Sequence, residues 1–145
     1  MTTAPPEKWT LILEKALKQR GLRLTVQRFA IAKTFFEAEG HLNADELCAA
    51  VRVEHSAIGQ ATVYRTLKLL EEVGLASSSN FGSSSARFEV NDGHHHDHIV
   101  CTKCETIVEF FNEEIEDLQE RIAREHGFLL TSHSMELFGL CKNCR

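Results

Sequence analysis

No stretch of eighteen consecutive apolar residues occurs in the 145-residue chain, so the sequence predicts no transmembrane helix. The first ten residues, MTTAPPEKWT, lack the basic start and apolar centre of a secretory signal, and we expect a cytoplasmic protein without membrane contact. The formal charge of −5 argues against a chain that is basic throughout and coats nucleic acid. With 43% hydrophobic residues, the chain has room for one medium domain or two small ones.

Charge and metal-binding side chains are unevenly distributed. Residues 1–90 hold 11 basic and 10 acidic residues, whereas residues 91–145 hold 5 and 11. Residues 8–33 alone carry seven basic residues against one acidic residue, which suits binding of a partner through one surface of the protein. A solvent-exposed helix face explains this charge equally well. Six of the eight histidines and four of the five cysteines follow residue 90. This asymmetry predicts two parts with different functions.

The first part has the element order of a winged helix-turn-helix. Apolar periodicity and turn residues predict four helices and then two short strands, at 7–20, 25–38, 44–53, 60–73, 75–79 and 86–90. The second helix is expected to bury Phe29, Ile31, Ala32, Phe35 and Phe36. The turn-rich segment 91–93 marks the expected boundary, which gives a DNA-binding domain at 1–90 and a second domain at 91–145.

The second part predicts a small αβ unit, so the whole chain is expected to be of the α+β class. Its elements are strands near 98–101 and 106–111, a helix over 113–126 capped by Asn112, and a strand over 128–138. About 55 residues cannot build an adequate core alone, so we expect a metal ion, a dimer partner, or both.

Two Cys-x-x-Cys pairs, Cys101/Cys104 and Cys141/Cys144, indicate a metal site. Together they supply four soft donors for one tetrahedral ion, which is typical of a closed, structural zinc site. The alternative is redox chemistry of a single pair, but two pairs that flank a domain with too small a core favour zinc. Cys48 has no such neighbour and is interpreted as a small core residue.

The run His94-His95-His96-Asp97-His98 is the densest group of potential ligands. In an extended segment, alternate residues face opposite sides, so His96 and His98 share one face while His95 and Asp97 share the other. The run can therefore serve two sites of nitrogen and oxygen donors, which suit Zn, Fe(II), Mn(II) or Co(II). Candidate completions are Glu109, Glu116 and His133; taken singly, each is more often an ordinary surface side chain.

The fourth helix has the pattern of a recognition helix. Its first turn is small and polar, and Tyr64 and Arg65 lie away from the apolar stripe that docks the helix. Such a slim front end fits a major groove about 12 Å wide. We expect Tyr64 to contact thymine methyl groups, Arg65 to bind a phosphate or guanine, and Arg23 to reach an A·T-rich minor groove.

Three segments together resemble the ferric uptake regulator family: Gly21-Leu22-Arg23-Leu24-Thr25 to Arg28, Ala61-Thr62-Val63-Tyr64-Arg65, and His94 through Cys104. The resemblance covers nearly the whole chain. It implies a winged-helix domain, a C-terminal αβ dimerisation domain, and a homodimer that represses metal-uptake genes from A/T-rich inverted repeats when loaded with a divalent ion. Pairing of dimers into tetramers on DNA is left open. Gln27 departs from the family, in which many members have proline there.

The resemblance also implies three metal sites. The four cysteines match a structural zinc site. The regulatory site corresponds to five residues, His41, Glu89, His96, His98 and Glu109. A second site in the dimerisation domain corresponds to four residues, His95, Asp97, Glu116 and His133. Glu89 and the full histidine run resemble the iron sensors most, so Fe(II) is expected, with Mn(II) or Co(II) as surrogates; zinc, manganese or peroxide sensing are the alternatives.

Two other classes of function compete with a repressor. A zinc hydrolase or deaminase would carry His-Glu-x-x-His or His-x-Glu with Pro-Cys-x-x-Cys, and the sequence contains neither. A metal-storage or interaction module would explain residues 91–145 but not the helix around Tyr64. We therefore expect a regulator and no enzyme.

Overall fold

The computed structural model of the chain describes residues 8–82 and 85–145. It divides into two compact units, one ending at Asp92 and the other spanning Gly93–Arg145. The predicted domain boundary was after residue 90. Residue 7, predicted to begin the first helix, and residues 83–84, in the predicted hairpin loop, lie outside the described part. No described helix is both long and apolar enough to cross a membrane.

Four helices build the first unit, and local side-chain caps start two of them. They are α1 (Lys8–Gln19), α2 (Val26–Glu37), α3 (Ala44–Arg52) and α4 (Gln60–Glu72). The Thr25 hydroxyl accepts the backbone N–H of Arg28 at 3.2 Å. At α3, the Asn43 side chain and the Glu46 carboxylate each accept the other residue's backbone N–H, which forms a capping box.

A three-stranded antiparallel sheet completes the first unit. It consists of β1 (Leu42–Asn43), β2 (Ala76–Ser79) and β3 (Arg87–Val90), in the order β1-β3-β2. Fully buried side chains from the helices and β3 form one core, among them Leu13, Ile31, Leu47, Leu67 and Phe88. Helices followed by a β2–β3 hairpin form a winged helix-turn-helix, which confirms the predicted fold. Cys48 is buried in this core, as expected.

One predicted core residue of α2 is wrong. Phe29 is 41% exposed. Its ring lies against Trp9 of α1, with 5.7 Å between ring centroids, so it packs at the edge of the core rather than inside it. The other four predicted residues of α2 are buried or pack partly buried against the core.

The second unit is a three-stranded sheet with one helix. Its elements are β4 (Asp97–Cys101), β5 (Ile107–Phe110), α5 (Glu113–Glu125) and β6 (Glu136–Gly139). Strand β4 is central, pairing antiparallel with β5 and parallel with β6. The Asn112 side chain caps α5 by accepting the backbone N–H of Ile115 at 3.1 Å.

The predicted strand over 128–138 is wrong for its first eight residues. Only Glu136–Gly139 joins the sheet, and residues 128–135 belong to no ladder. A strand exists only where a neighbouring edge accepts its backbone hydrogen bonds, and this segment lies outside the β5-β4-β6 ladders, in which the pairing of β6 begins at Glu136. The segment also leaves Phe128 and Leu129 exposed at 73% and 89%.

Candidate metal centres and DNA-reading face

The four predicted zinc ligands lie together at one end of the second unit. Cys101 ends β4, Cys104 lies in the turn after it, and Cys141 and Cys144 follow β6. The parallel pairing of β4 with β6 brings these segments side by side, and all four sulfur atoms lie within 4.8 Å of one another. The Sγ atoms of Cys104 and Cys141 are 3.8 Å apart. A tetrahedral zinc ion with Zn–S bonds of about 2.3 Å separates its sulfurs by about 3.8 Å, so the cluster fits that ion.

The thiols of this cluster are electrostatically unequal. Backbone N–H groups of Cys104 and Cys141 lower the pKa of Cys101 to about 6, because they donate to its thiolate. The pKa of Cys144 is raised to about 12, because the sulfur atoms of Cys141 and Cys104 surround it. Four thiolates at such distances repel one another, so full deprotonation requires a bound cation. All five cysteines are free thiols.

The second predicted set, His95, Asp97, Glu116 and His133, is also assembled within the second unit. Their ligand atoms lie within 4.8 Å of one another. Nε2 of His95 is 3.3 Å from both Asp97 Oδ1 and Glu116 Oε1, and Nε2 of His133 is 3.3 Å from the same Glu116 oxygen. The start of β4, the first turn of α5 and the segment before β6 therefore converge on one point.

Unpaired buried atoms mark this cluster as a site for a cation. Asp97 is 1% exposed, and neither of its carboxylate oxygens has a hydrogen-bond partner. Glu116 Oε1 and His133 Nε2 are likewise buried without one. Buried polar atoms in proteins are normally hydrogen-bonded, so an acceptor-rich cluster of this kind fits a divalent ion. Gln119 Oε1 is also buried and unpaired; the sequence reasoning missed it, although its position three residues after Glu116 places it on the same helix face.

Two predicted regulatory ligands pair within the first unit. Nε2 of His41 lies 2.7 Å from Glu89 Oε2, and the two side chains are only 6% and 14% exposed. His41 immediately precedes β1, and Glu89 lies on β3, which β1 pairs with. The edge of the His41 ring also contacts Phe81, with centroids 5.4 Å apart.

The other three predicted regulatory ligands gather on one side of the second unit. The rings of His96 and His98 meet at 5.1 Å between centroids. Glu109 lies directly opposite His98 in the β4–β5 register, and its Oε1 is 3.7 Å from His96 Nε2. His95 turns instead toward His133, so the contacts follow the predicted alternation along the histidine run.

The predicted DNA-reading residues lie on an exposed part of the first unit. Tyr64 is 46% exposed on α4, and the adjacent Arg65 is exposed as well, while Val63 and Leu67 are buried on the opposite face. Arg23 is exposed between α1 and α2, and its carbonyl accepts a hydrogen bond from Arg28 Nη1 at 2.6 Å. The helix therefore has the apolar back and polar front that groove binding requires.

A winged-helix unit with an exposed polar helix, followed by a unit with preassembled metal donors, defines a metal-binding regulator of transcription. A model described as the ferric uptake regulator family matches residues 19–138. The ferric uptake regulation protein of Bordetella parapertussis is 42% identical over 133 residues, covering 91% of this chain and 96% of that protein. The chain belongs to the ferric uptake regulator family.

Solved structures agree with this assignment. The Helicobacter pylori ferric uptake regulator Fur, described as having three functional metal binding sites, superposes with a TM-score of 0.87 at 31% identity, covering 98% of this chain and 97% of that one. A zinc-bound manganese uptake regulator superposes with a TM-score of 0.70 at 42% identity, covering 90% of this chain and 98% of that one.

Proposed function

We propose that the chain is an iron-responsive repressor that binds A/T-rich inverted repeats of metal-uptake genes as a homodimer when loaded with Fe(II). The observation that carries this proposal is the pairing of His41 with Glu89 beside the DNA-reading unit's sheet, at 2.7 Å and nearly buried. A histidine nitrogen and a carboxylate oxygen are ligands that suit a divalent ion of borderline hardness, and these two lie close together in the unit that reads DNA.

Five residues are proposed as ligands of the regulatory ion. The His41–Glu89 pair contributes from the first unit, and His96, His98 and Glu109 contribute from the second. When bound, the ion is proposed to favour the arrangement of the chain that binds DNA. Moving a DNA-competent arrangement from 1% to 99% of the population requires about 5.5 kcal/mol of differential binding, which chelation by four or five ligands can provide.

Two further ions are proposed for the second unit. A structural zinc ion in the four-cysteine cluster ties the segment after β6 to the end of β4 and compensates for a small core. The set of His95, Asp97, Glu116 and His133 is proposed as a second divalent site, supported by its unpaired buried oxygens.

A homodimer is supported by the apolar surface of the second unit. No residue of α5 is buried, and Leu118 and Ile122 on its apolar stripe are 44% and 47% exposed. Large side chains of the sheet and of residues 128–130 are also exposed, including Phe128, Leu129 and Phe138. Exposed apolar area of this extent is typical of an interface that a second copy covers.

Manganese sensing is the second candidate. The structure of the zinc-bound manganese uptake regulator is 42% identical to this chain. Nitrogen and oxygen donors bind Fe(II) and Mn(II) in similar geometries, so the donor set fixes the class of ion rather than its identity.

Operator binding tests the proposal. We expect metal-free protein to bind an A/T-rich inverted repeat weakly, and anaerobic Fe(II) or Mn(II) to raise its affinity in a fluorescence anisotropy titration. His96→Ala should abolish this response, while His95→Ala, on the other side of the run, should change it much less. An equal loss in both variants would refute the assignment of the histidine run to two metal sites. An operator affinity that does not depend on metal would refute the proposed repressor function.

A further inference from the structure

Arg87 makes two contacts beside the His41–Glu89 pair that the sequence did not indicate. It lies at the start of β3, opposite Asn43 in the β1–β3 register, and its side chain is only 15% exposed. Its Nη1 donates to the backbone carbonyl of His41 at 3.2 Å and to Glu46 Oε2 at 3.0 Å. One guanidinium nitrogen thus joins a proposed metal ligand to the first turn of α3.

His41 lies just outside the regular pairing of the sheet. His41 follows Gly40, whose φ of +84° is a turn conformation that favours glycine, and it precedes a strand of only two residues. Regular backbone pairing therefore fixes Leu42 and Asn43 but not the residue before them. The hydrogen bond from Arg87 to the His41 carbonyl supplies an anchor at this point.

The other end of the contact is rigid. The Glu46 carboxylate that receives Arg87 also accepts the backbone N–H of Asn43 at 3.0 Å, as part of the capping box of α3. Arg87 therefore braces the His41 backbone against a helix terminus that is itself hydrogen-bonded on both sides.

We propose that Arg87 is a positioning residue for the regulatory metal site: it fixes the His41 backbone so that the imidazole and the Glu89 carboxylate form a preorganised pair. This inference rests on the proposed function, because it assigns a role toward the same ion. Outer hydrogen bonds that orient a ligand typically contribute 10- to 100-fold to metal affinity. We expect about a 10-fold loss of affinity when this brace is removed.

Electrostatics alone predicts the opposite sign. Removing the positive charge of Arg87 leaves Glu46 with a negative charge near the site, and this would attract a divalent cation more strongly. A weaker metal affinity after loss of Arg87 is therefore diagnostic of positioning rather than of charge.

The test is a Co(II) titration followed by visible absorption, in zinc-loaded protein that also carries His133→Ala to remove the second donor set. Arg87→Gln is expected to weaken Co(II) binding about 10-fold. Arg87→Lys keeps the charge, but its ammonium ends short of the reach of a guanidinium, so weakened binding is expected there as well. Arg52→Gln is the matched control, since Arg52 Nε donates to the Ser56 carbonyl at 3.3 Å at the far end of α3.

Weaker Co(II) binding in both Arg87 variants, with Arg52→Gln like the parent, supports the inference. Unchanged or tighter binding in Arg87→Gln, or parent affinity in Arg87→Lys, overturns it. If Arg87→Gln fails to fold, the lysine variant decides the question. A parent protein that binds no Co(II) through nitrogen and oxygen ligands would instead refute the proposed function, so the two failures are distinguishable.

Discussion

Replacing Asp97 by asparagine should change stability in opposite directions with and without metal. The Asp97 carboxylate is 1% exposed, and neither oxygen has a hydrogen-bond partner. A carboxylate oxygen of Glu116 lies within 4.8 Å of it, Glu116 Oε1 likewise has no hydrogen-bond partner, and His95 Nε2 lies 3.3 Å from both carboxylates. Without an ion, two carboxylates are therefore held close together in a buried place. Asn has nearly the same shape as Asp but carries no charge.

The magnitudes determine which effect dominates in each condition. A buried polar group without a partner costs about 1–3 kcal/mol, and more when it is charged. We therefore expect Asp97→Asn to raise the free energy of unfolding of the metal-free chain by about 1–2 kcal/mol. An ion at 100 times its Kd stabilises the parent by about 2.7 kcal/mol. The variant should lose most of this gain, so the order of stability reverses.

Urea unfolding measures both quantities. Each protein is compared after removal of weakly bound ions and again with excess Mn(II). Asp117→Asn is the matched control, because Asp117 is exposed on α5 and outside the cluster. The reasoning is refuted if Asp97→Asn destabilises the metal-free chain as much as the loaded one.

Three further predictions concern zinc, the dimer and DNA. Because hydrogen bonds from backbone N–H groups lower the pKa of Cys101 to about 6, its thiolate persists at pH 7 and is lost as pH falls through 6. Zinc binding to stripped protein should therefore release more protons at pH 5 than at pH 7, measured by calorimetry in two buffers. Ile122→Glu should convert dimer to monomer in sedimentation, while Arg121→Glu, outside the apolar stripe, should not. Tyr64→Ala should cost about 1–3 kcal/mol of discrimination at one base step, measured by anisotropy with operator variants.

The elements that sequence predicted best are those whose signals are local. Asn112 was expected to cap a helix, and its side chain accepts a backbone N–H three residues ahead, as Thr25 and Asn43 also do at the starts of α2 and α3. Such a cap depends on residues within one turn, so no knowledge of distant packing is needed. The alternation along the histidine run is equally local, because it follows from extended backbone alone.

Contacts between distant segments could not be predicted in this way. Arg87 and Glu46 are 41 residues apart, and no periodicity links them. The parallel pairing of β4 with β6 brings Cys101 near Cys141, yet the sequence indicated only that the two cysteine pairs share an ion.

The error in the second unit has a different origin. An apolar segment has a surface to bury, but its sequence does not indicate which chain supplies the covering surface. In residues 128–135 the sequence predicted a strand, and in this chain the segment has no ladder and leaves Phe128 and Leu129 exposed. Helix α5 was predicted correctly as a helix, and its stripe is nevertheless unburied. An exposed segment 128–135 and an unburied stripe on α5 are expected if the second unit has an incomplete hydrophobic core. The zinc cluster would stabilise one end of this unit, and the second copy in the proposed dimer would cover its exposed apolar surface.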